Sequence, residues 1–306
     1  MLQVALGRCL QSYAVHRRCP IASHQIASQT PVLVADQVHC LLPARDPGPT
    51  ENGGRMIAYR TRWKHYVELW FDEPVPDTDI DVLTRCRALS RPASGHCDEF
   101  YSLRIDLSET PETIYTRFTR NTRAQIRRSI ESDQLRFDFF DEPTAEQMSE
   151  FIAFYDAFAQ SKGLDPMSPE YAEAHRLSGQ CSLSRVRCGQ EDLVWHANVS
   201  YGPHVGMMYS ASQLRLAASD ERKLIGRANR RLHWEELKRF RAQGRRYYDF
   251  GGWYEGHTDE ERLSINRFKE EFGGKKVLLY AGLENRTLVA KVTAALKQRD
   301  KIETSL

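Results

Sequence analysis

Hydrophobic and polar positions alternate most regularly over residues 193–201. Leu193, Trp195, Ala197, Val199 and Tyr201 fall on one side of a period of two, with Val194, His196, Asn198 and Ser200 on the other. Two such sets are the two faces of a strand. A Gly202-Pro203 turn leads into 205–210, where Val205, Met207 and Tyr209 share a face, so the segment predicts a hairpin. Further strands are predicted over 64–71, 101–107, 135–140, 181–187, 246–250 and 276–280.

Helical periods lie between them. Thr110 and Pro111 supply cap and first-turn chemistry for a helix over 110–131, with Ile114, Phe118, Ile126 and Ile130 as its apolar line. Thr144 and Gln147 fit a capping box. Met148, Phe151, Ile152, Tyr155, Phe158 and Ala159 form the stripe behind it, and Gly163 stops it. More helices are expected over 169–177, 225–242, 260–271 and 288–297. Residues 1–55 are different: short apolar runs mixed with Pro, Gly and His, ending in the Pro/Gly-rich stretch 46–54. They read as a disordered tail or a mis-assigned start, with translation beginning at Met56. Residues 56–140 then make a partial N-terminal lobe and 141–306 the main domain. The class is α/β, with a mixed, mainly antiparallel sheet flanked by helices.

Composition excludes more than it assigns. No apolar run approaches ~18 residues, so no membrane-spanning helix is expected. A net charge of +2 points in bulk to neither nucleic acid nor membrane. Seven cysteines, an odd number with no Cys-x-x-Cys pair, support neither a disulfide framework nor a zinc site. A reducing cytoplasm is the default location, and no metal is expected.

Most of the chemistry lies in 223–274. Lys223-Leu-Ile-Gly226-Arg-Ala228-Asn229 opens a predicted helix, Tyr248-Asp249-Phe-Gly-Gly252 ends a predicted strand, and Ile265-Asn-Arg-Phe-Lys269-Glu-Glu-Phe-Gly-Gly274 closes a second helix. A glycine turn opening a helix leaves backbone N–H groups free to face an anion, which suits a phosphate-bearing cosubstrate.

These three stretches, with Thr122-Arg-Ala-Gln-Ile-Arg-Arg128, resemble the GNAT acyltransferase superfamily, and within it the Fem-type and exopolysaccharide-associated acetyltransferase branch. The resemblance covers about residues 100–285. It implies acyl transfer, acetyl in the simplest case, from acyl-CoA as cosubstrate to an amine on a small molecule or cell-envelope precursor. It also implies two alternatives: a Fem-type aminoacyltransferase using aminoacyl-tRNA on a peptidoglycan precursor, and a non-catalytic ligand-binding member. By the same resemblance Lys223, Ile225, Gly226, Arg227, Ala228 and Asn229 form the pyrophosphate-binding turn. Lys in the first place keeps the charge of the usual Arg without its planar fork. The tyrosine that protonates the leaving thiolate in such enzymes has no counterpart between Asp259 and Phe272. Tyr248, Tyr209 and Tyr254 are the substitutes to choose among.

Asp249 reads either as the group that orients or deprotonates the acceptor or as a turn-capping aspartate. By the resemblance to Fem-type enzymes Lys269 is the charge that stabilises the oxyanion or binds an acceptor phosphate; otherwise it reads as a solvated helical lysine. His196, on the polar face of its strand with Asn198 and Ser200, reads as a base near neutral pH or as a structural histidine. Arg120, Arg123 and Arg127 fall near one helix face and, with Tyr209, are the candidates for binding an acceptor or its phosphate.

Overall fold

The structure, a computed structural model, describes residues 56–61, 63–213 and 219–303. The expectation for residues 1–55 therefore lies outside the described residues. The strands are β1 (Ile57–Arg60), β2 (His65–Trp70), β3 (Val82–Ala88), β4 (His96–Asp106), β5 (Leu135–Phe140), β6 (Cys181–Cys188), β7 (Glu191–Tyr201), β8 (His204–Ser212), β9 (Tyr247–Gly252) and β10 (Lys275–Asn285). They form one sheet in the order β1-β2-β3-β10-β4-β9-β8-β7-β6-β5. Only β2–β3 and β8–β9 pair in parallel. Because β10 inserts between β3 and β4, the two parts distinguished in the sequence share this sheet.

The helices are α1 (Pro111–Thr116), α2 (Arg120–Ser132), α3 (Ala145–Ser161), α4 (Pro169–Leu177), α5 (Ser219–Ala242), α6 (Glu260–Glu270) and α7 (Leu288–Glu303). The capping box at Thr144 and Gln147 is formed, and Gly163 sits at φ +62° just past the end of α3. The helix expected over 110–131 is instead two. Thr119 caps α2 by accepting from Thr122 N, and the Arg123 guanidinium donates to Thr116 O and Phe118 O, satisfying carbonyls at the end of α1. The buried line of α2 then runs Thr122, Ile126, Ser129 at a spacing near 3.6, which leaves Ile130 56% exposed rather than in the core.

β7 is buried on both faces. Trp195 and Ala197 pack with Met148, Phe151 and Tyr155 of α3. On the other face His196 and Asn198 meet α5, whose Ile225, Ala228 and Leu232 pack with Val186, Leu193 and Val194. The polar face read from the alternation is thus not a groove lining but an interior polar seam.

Candidate active site

The site begins where the parallel pair β8–β9 comes apart. Pairing runs only from His204↔Tyr247 to Gly206↔Asp249. Beyond that, β8 stays on β7 as far as Ser212↔Val194, while the end of β9 pairs with β4 at Gly252↔Ser102. Each prong carries a bulge, and the two diverge into a fork.

Arg87 braces the fork from β3. Cys86 and Arg87 together face the single Ala281 of β10, a bulge at which Arg87 has φ +58° and which turns its side chain towards the fork. Its guanidinium donates to Asp249 O at 3.3 Å, to Asp249 Oδ1 at 3.0 Å and to Met207 O. A Cβ at Gly206 or Gly251 would collide with it, and Gly251 also needs its φ of +79°.

Asp249 is 1% exposed. Its Oδ1 accepts from Ser102 Oγ at 2.5 Å and Gly251 N at 2.9 Å as well as from Arg87. It sits behind the fork as a backbone cap and counter-ion, and it is not among the residues lining the opening. Lys269 of α6 does line it, donating from Nζ to Gly251 O at 3.1 Å and Gly252 O at 2.5 Å. Burial pushes its pKa down to about 7; the charge of Arg87 adds to this and that of Asp249 opposes it.

The cleft opening from the fork holds about 590 Å³. β2, β3, β4, β8, β9, α3, α4, α5 and α6 contribute walls, including Trp70, Phe100, Tyr155, Tyr171, Tyr209 and Phe268. Glu68 is its one carboxylate among the described residues. Burial works against Glu68's ionisation, but His175 at 3.2 Å, Trp70 Nε1 at 2.5 Å and the Tyr171 hydroxyl at 3.2 Å outweigh it and lower its pKa.

A second buried carboxylate stands behind the α5 wall. Glu236 accepts from Ser184 Oγ (2.6 Å), Asn198 Nδ2 (3.0 Å), His196 Nδ1 (3.0 Å) and the Tyr248 hydroxyl (3.2 Å). Burial disfavours its charge, but His196 and His233 outweigh that and hold its carboxyl well below the usual range. His196 and Tyr248 are therefore interior partners of Glu236. His196 also places Nε2 on Asn229 Oδ1 at 3.0 Å. His196, His233 and Glu236 form the group among the described residues whose ligand atoms lie close enough to share an ion, within 4.8 Å. Hydrogen bonds already engage the His196 and Glu236 atoms and His233 Nδ1.

The turn expected at Lys223–Asn229 is corrected by α5. The helix begins at Ser219, so Gly226 is an interior helical residue, and its amide does not belong to a free first turn. Ile225 and Ala228 are buried in the core beneath. Arg227 is held by Asp133 at 2.7 Å and Arg230 by Glu271 at 2.8 Å. The outer face of the same helix nonetheless carries a row of neighbouring hollows. One of about 400 Å³ shares Ser212, Asn229, Ser264 and Phe268 with the cleft. Another of about 430 Å³ shares Gly226 and Arg230 with that one and is lined also by Arg128, Arg222, Lys223 and Arg227. Arg123 and Arg127 line a separate hollow with Tyr115 and Trp234, and Arg120 is exposed at the start of α2.

Residues 116–270, just over half of the chain, match the model of the acetyltransferase (GNAT) domain. The chain belongs to the GNAT family. It is an acyltransferase, and the fork between β8 and β9 lies inside the matched span. The GNAT fold recurs in the crystal structure of FemX, 10% identical over 76% of this chain and 84% of that one, with a TM-score of 0.51. The structure of L-PGS from Bacillus licheniformis is 13% identical over 82% of this chain and 87% of that one, with a TM-score of 0.46. At 10% identity the likeness to FemX is one of fold. No curated protein matches the sequence. Among the described residues no helix is long and apolar enough to cross a membrane.

Arg87, Glu68, His175, His233 and Glu236 escaped the sequence reading. The first three gain their partners only in the folded chain, Arg87 from β9 and β8, and Glu68 from His175 of α4. The last two are three residues apart on one helix, a His-x-x-Glu spacing that places both side chains on one face and was visible in the sequence.

Proposed function

We propose that the chain transfers an acyl group from an acyl-CoA to an amine, with the thioester carbonyl in the fork beside Lys269. The observation that carries this reading is the row of hollows along α5. Lys223, Gly226, Arg230 and His233 follow one another at three or four residues, so the stripe from Lys223 to His233 runs about 15 Å along the helix. One end carries Arg222 and Lys223 for phosphates, with Arg227 and Arg230 beside them on their carboxylates Asp133 and Glu271; the other opens into the cleft. A diphosphate carrying a long flexible arm to a reactive carbonyl fits that gradient. Gly226 serves here as a bare stretch of helix under the arm rather than as an amide turn. Lys269, fixed by two carbonyls, supports negative charge on the oxyanion. Glu68 attracts a cationic amine to the far wall.

The experiment is thiol release from a panel of CoA thioesters with a panel of amines, beside calorimetric CoA binding by wild type and an Arg222→Gln, Lys223→Gln variant. The expected result is amine-dependent thiol release and CoA binding weakened at least tenfold by the double change. Absence of CoA binding by the wild type sinks the reading. The second reading, aminoacyl transfer from tRNA, is favoured by one observation: Arg128 of α2 joins the α5 cations, extending the positive surface beyond what one diphosphate needs. It predicts charged-tRNA binding with a steep inverse salt dependence.

A further inference from the structure

We propose that His233 is the group that carries the proton from the attacking amine to the departing thiolate, working through Nε2, with Tyr248 and Glu236 as positioning residues. This rests on the amine-acylation reading above.

Hydrogen-bond bookkeeping fixes the tautomer. Glu236 is ionised and so only accepts. The Tyr248 hydroxyl gives its single hydrogen to Glu236 Oε2. His233 Nδ1 therefore faces two acceptors, Tyr248 Oη at 3.3 Å and Glu236 Oε2 at 3.5 Å, and must carry the ring hydrogen. That leaves a lone pair on Nε2. This atom makes no hydrogen bond within the described residues, and it is not among the buried polar atoms left unpartnered. His233 lines the cleft, so Nε2 has the cleft to face. Phe250, Phe268 and Phe272 surround the ring, with centroids 4.9–5.6 Å away, and hold it in place.

The other candidates are placed less well. Asp249 does not line the cleft: Oδ1 accepts three hydrogen bonds, and Oδ2, which accepts none, is buried behind the fork with Arg104 Nε at 3.8 Å. His196 has both nitrogens engaged in the interior. Lys269 spends hydrogens on Gly251 and Gly252.

The charged and titratable groups around His233 are Glu236 and Arg230 on α5, His196 on β7, Tyr248 on β9 and Lys269 on α6. Burial lowers the ring's pKa to about 4; His196 and Arg230 add to this and Glu236 opposes it. So weak a base does not deprotonate an ammonium: the cationic acceptor drawn in by Glu68 sheds that proton to solvent, and the neutral amine attacks. Once the C–N bond forms, the nitrogen of the tetrahedral adduct is far more acidic and gives its proton to Nε2. The C–S bond then breaks, the carbonyl re-forms, and the imidazolium returns that proton to the thiolate. The products are an amide and a free thiol, with His233 neutral again. An acid with a pKa near 4 hands its proton readily to a thiolate whose own value is ~8.5, the task for which α6 offers no tyrosine.

Three measurements test this. Nitrogen NMR of the imidazole should show a neutral ring protonated on Nδ1 at pH 7; a hydrogen on Nε2 overturns the assignment whatever the activity. His233→Gln should lower kcat about 100-fold while CoA affinity, held mainly at the far cationic end of the helix, changes far less, and imidazole should partly restore turnover to His233→Ala. A folded His233→Gln enzyme within fivefold of wild type overturns the proposal and leaves amine acylation standing. A wild type that acylates no amine overturns the parent reading, and this one with it. Tyr248→Phe separates positioning from packing: turnover should fall about tenfold, with a weakened Nδ1 preference in the spectrum, where Glu236 alone still accepts, and no change in KM.

Discussion

Glu68 and Glu236 are both buried carboxylates at the same cleft, each held ionised by a histidine and bonded to a tyrosine. They differ in what they turn towards the opening. Glu68 lines the cleft itself, and His175 stands behind it, fully buried. Glu236 is the hidden member of its pair, and His233 lines the cleft in front of it. The same residue types thus offer an anion on the β2 wall and a basic nitrogen on the α5 wall. An amine acylation needs both: something to attract a cationic acceptor and something to take its proton once it reacts.

The largest effect expected from breaking this symmetry is on stability. Glu236→Ala leaves the polar groups of Ser184, Asn198, His196 and Tyr248 facing an interior void. Removing one member of so buried a network costs about 3–5 kcal/mol, to be read from urea unfolding. A loss below 1 kcal/mol contradicts the network as described.

Lys269 comes next, because it serves both walls. Lys269→Met keeps the stem, removes the charge and should lower kcat by roughly 100-fold with the fold retained. Its pKa supplies a second readout. Unfolded, the lysine keeps its proton to 10.5; folded, only to about 7. Between these values the unfolded chain binds more protons, so this residue makes stability rise with pH from about 7 upwards, and it makes the folded state carry a buried charge below about 7. In Lys269→Met that rise should vanish. If the charge serves the oxyanion, kcat in the wild type should fall as pH climbs through about 7. A profile that rises there instead assigns the neutral amine a proton-accepting part.

Glu68→Gln sharpens the contrast between the walls. The amide keeps the shape and can still accept from the Trp70 indole and the Tyr171 hydroxyl, but it presents no charge. KM for a cationic amine should rise about tenfold, or about 1.4 kcal/mol, with kcat within twofold. A fall in kcat at unchanged KM transfers Glu68 from attraction to chemistry.

How much of this was legible in the sequence depends on range. The hairpin at β7–β8, the Thr144 capping box and the helix over 169–177 are written in local periods and caps, and they fold where the pattern places them. Lys269 was singled out by resemblance rather than by local pattern, and it lines the cleft. Local pattern failed where partners come from far away. Asp249 looks like an acid at a strand end, and only the bulge that sends Arg87 across 162 residues makes it a counter-ion. His196 looks like a face-up histidine until α5 covers it. The break at Arg117–Thr119 was signalled by Thr119 and Thr122, yet the run of isoleucines suggested continuity. His233 and Glu236 carried a usable signal, the spacing of three, on the same helix as the more conspicuous Gly226.

That glycine provides the smallest and most discriminating prediction. As an amide turn against a diphosphate, Gly226 would tolerate no side chain. As the interior helical residue it is, it costs α5 stability, since glycine in a helix is about 0.5–1 kcal/mol worse than alanine. A Cβ there meets only the Arg230 guanidinium, at 3.7 Å, an ordinary contact with the end of a flexible chain. Gly226→Ala should therefore raise stability by about 0.5–1 kcal/mol and leave CoA affinity within twofold. Gly226→Val, whose branches reach further over the outer face between the two hollows, should weaken CoA without unfolding the helix. If alanine alone abolishes CoA binding, the phosphates approach the backbone at Gly226 after all, and the path along the outer face of α5 is not how the donor lies.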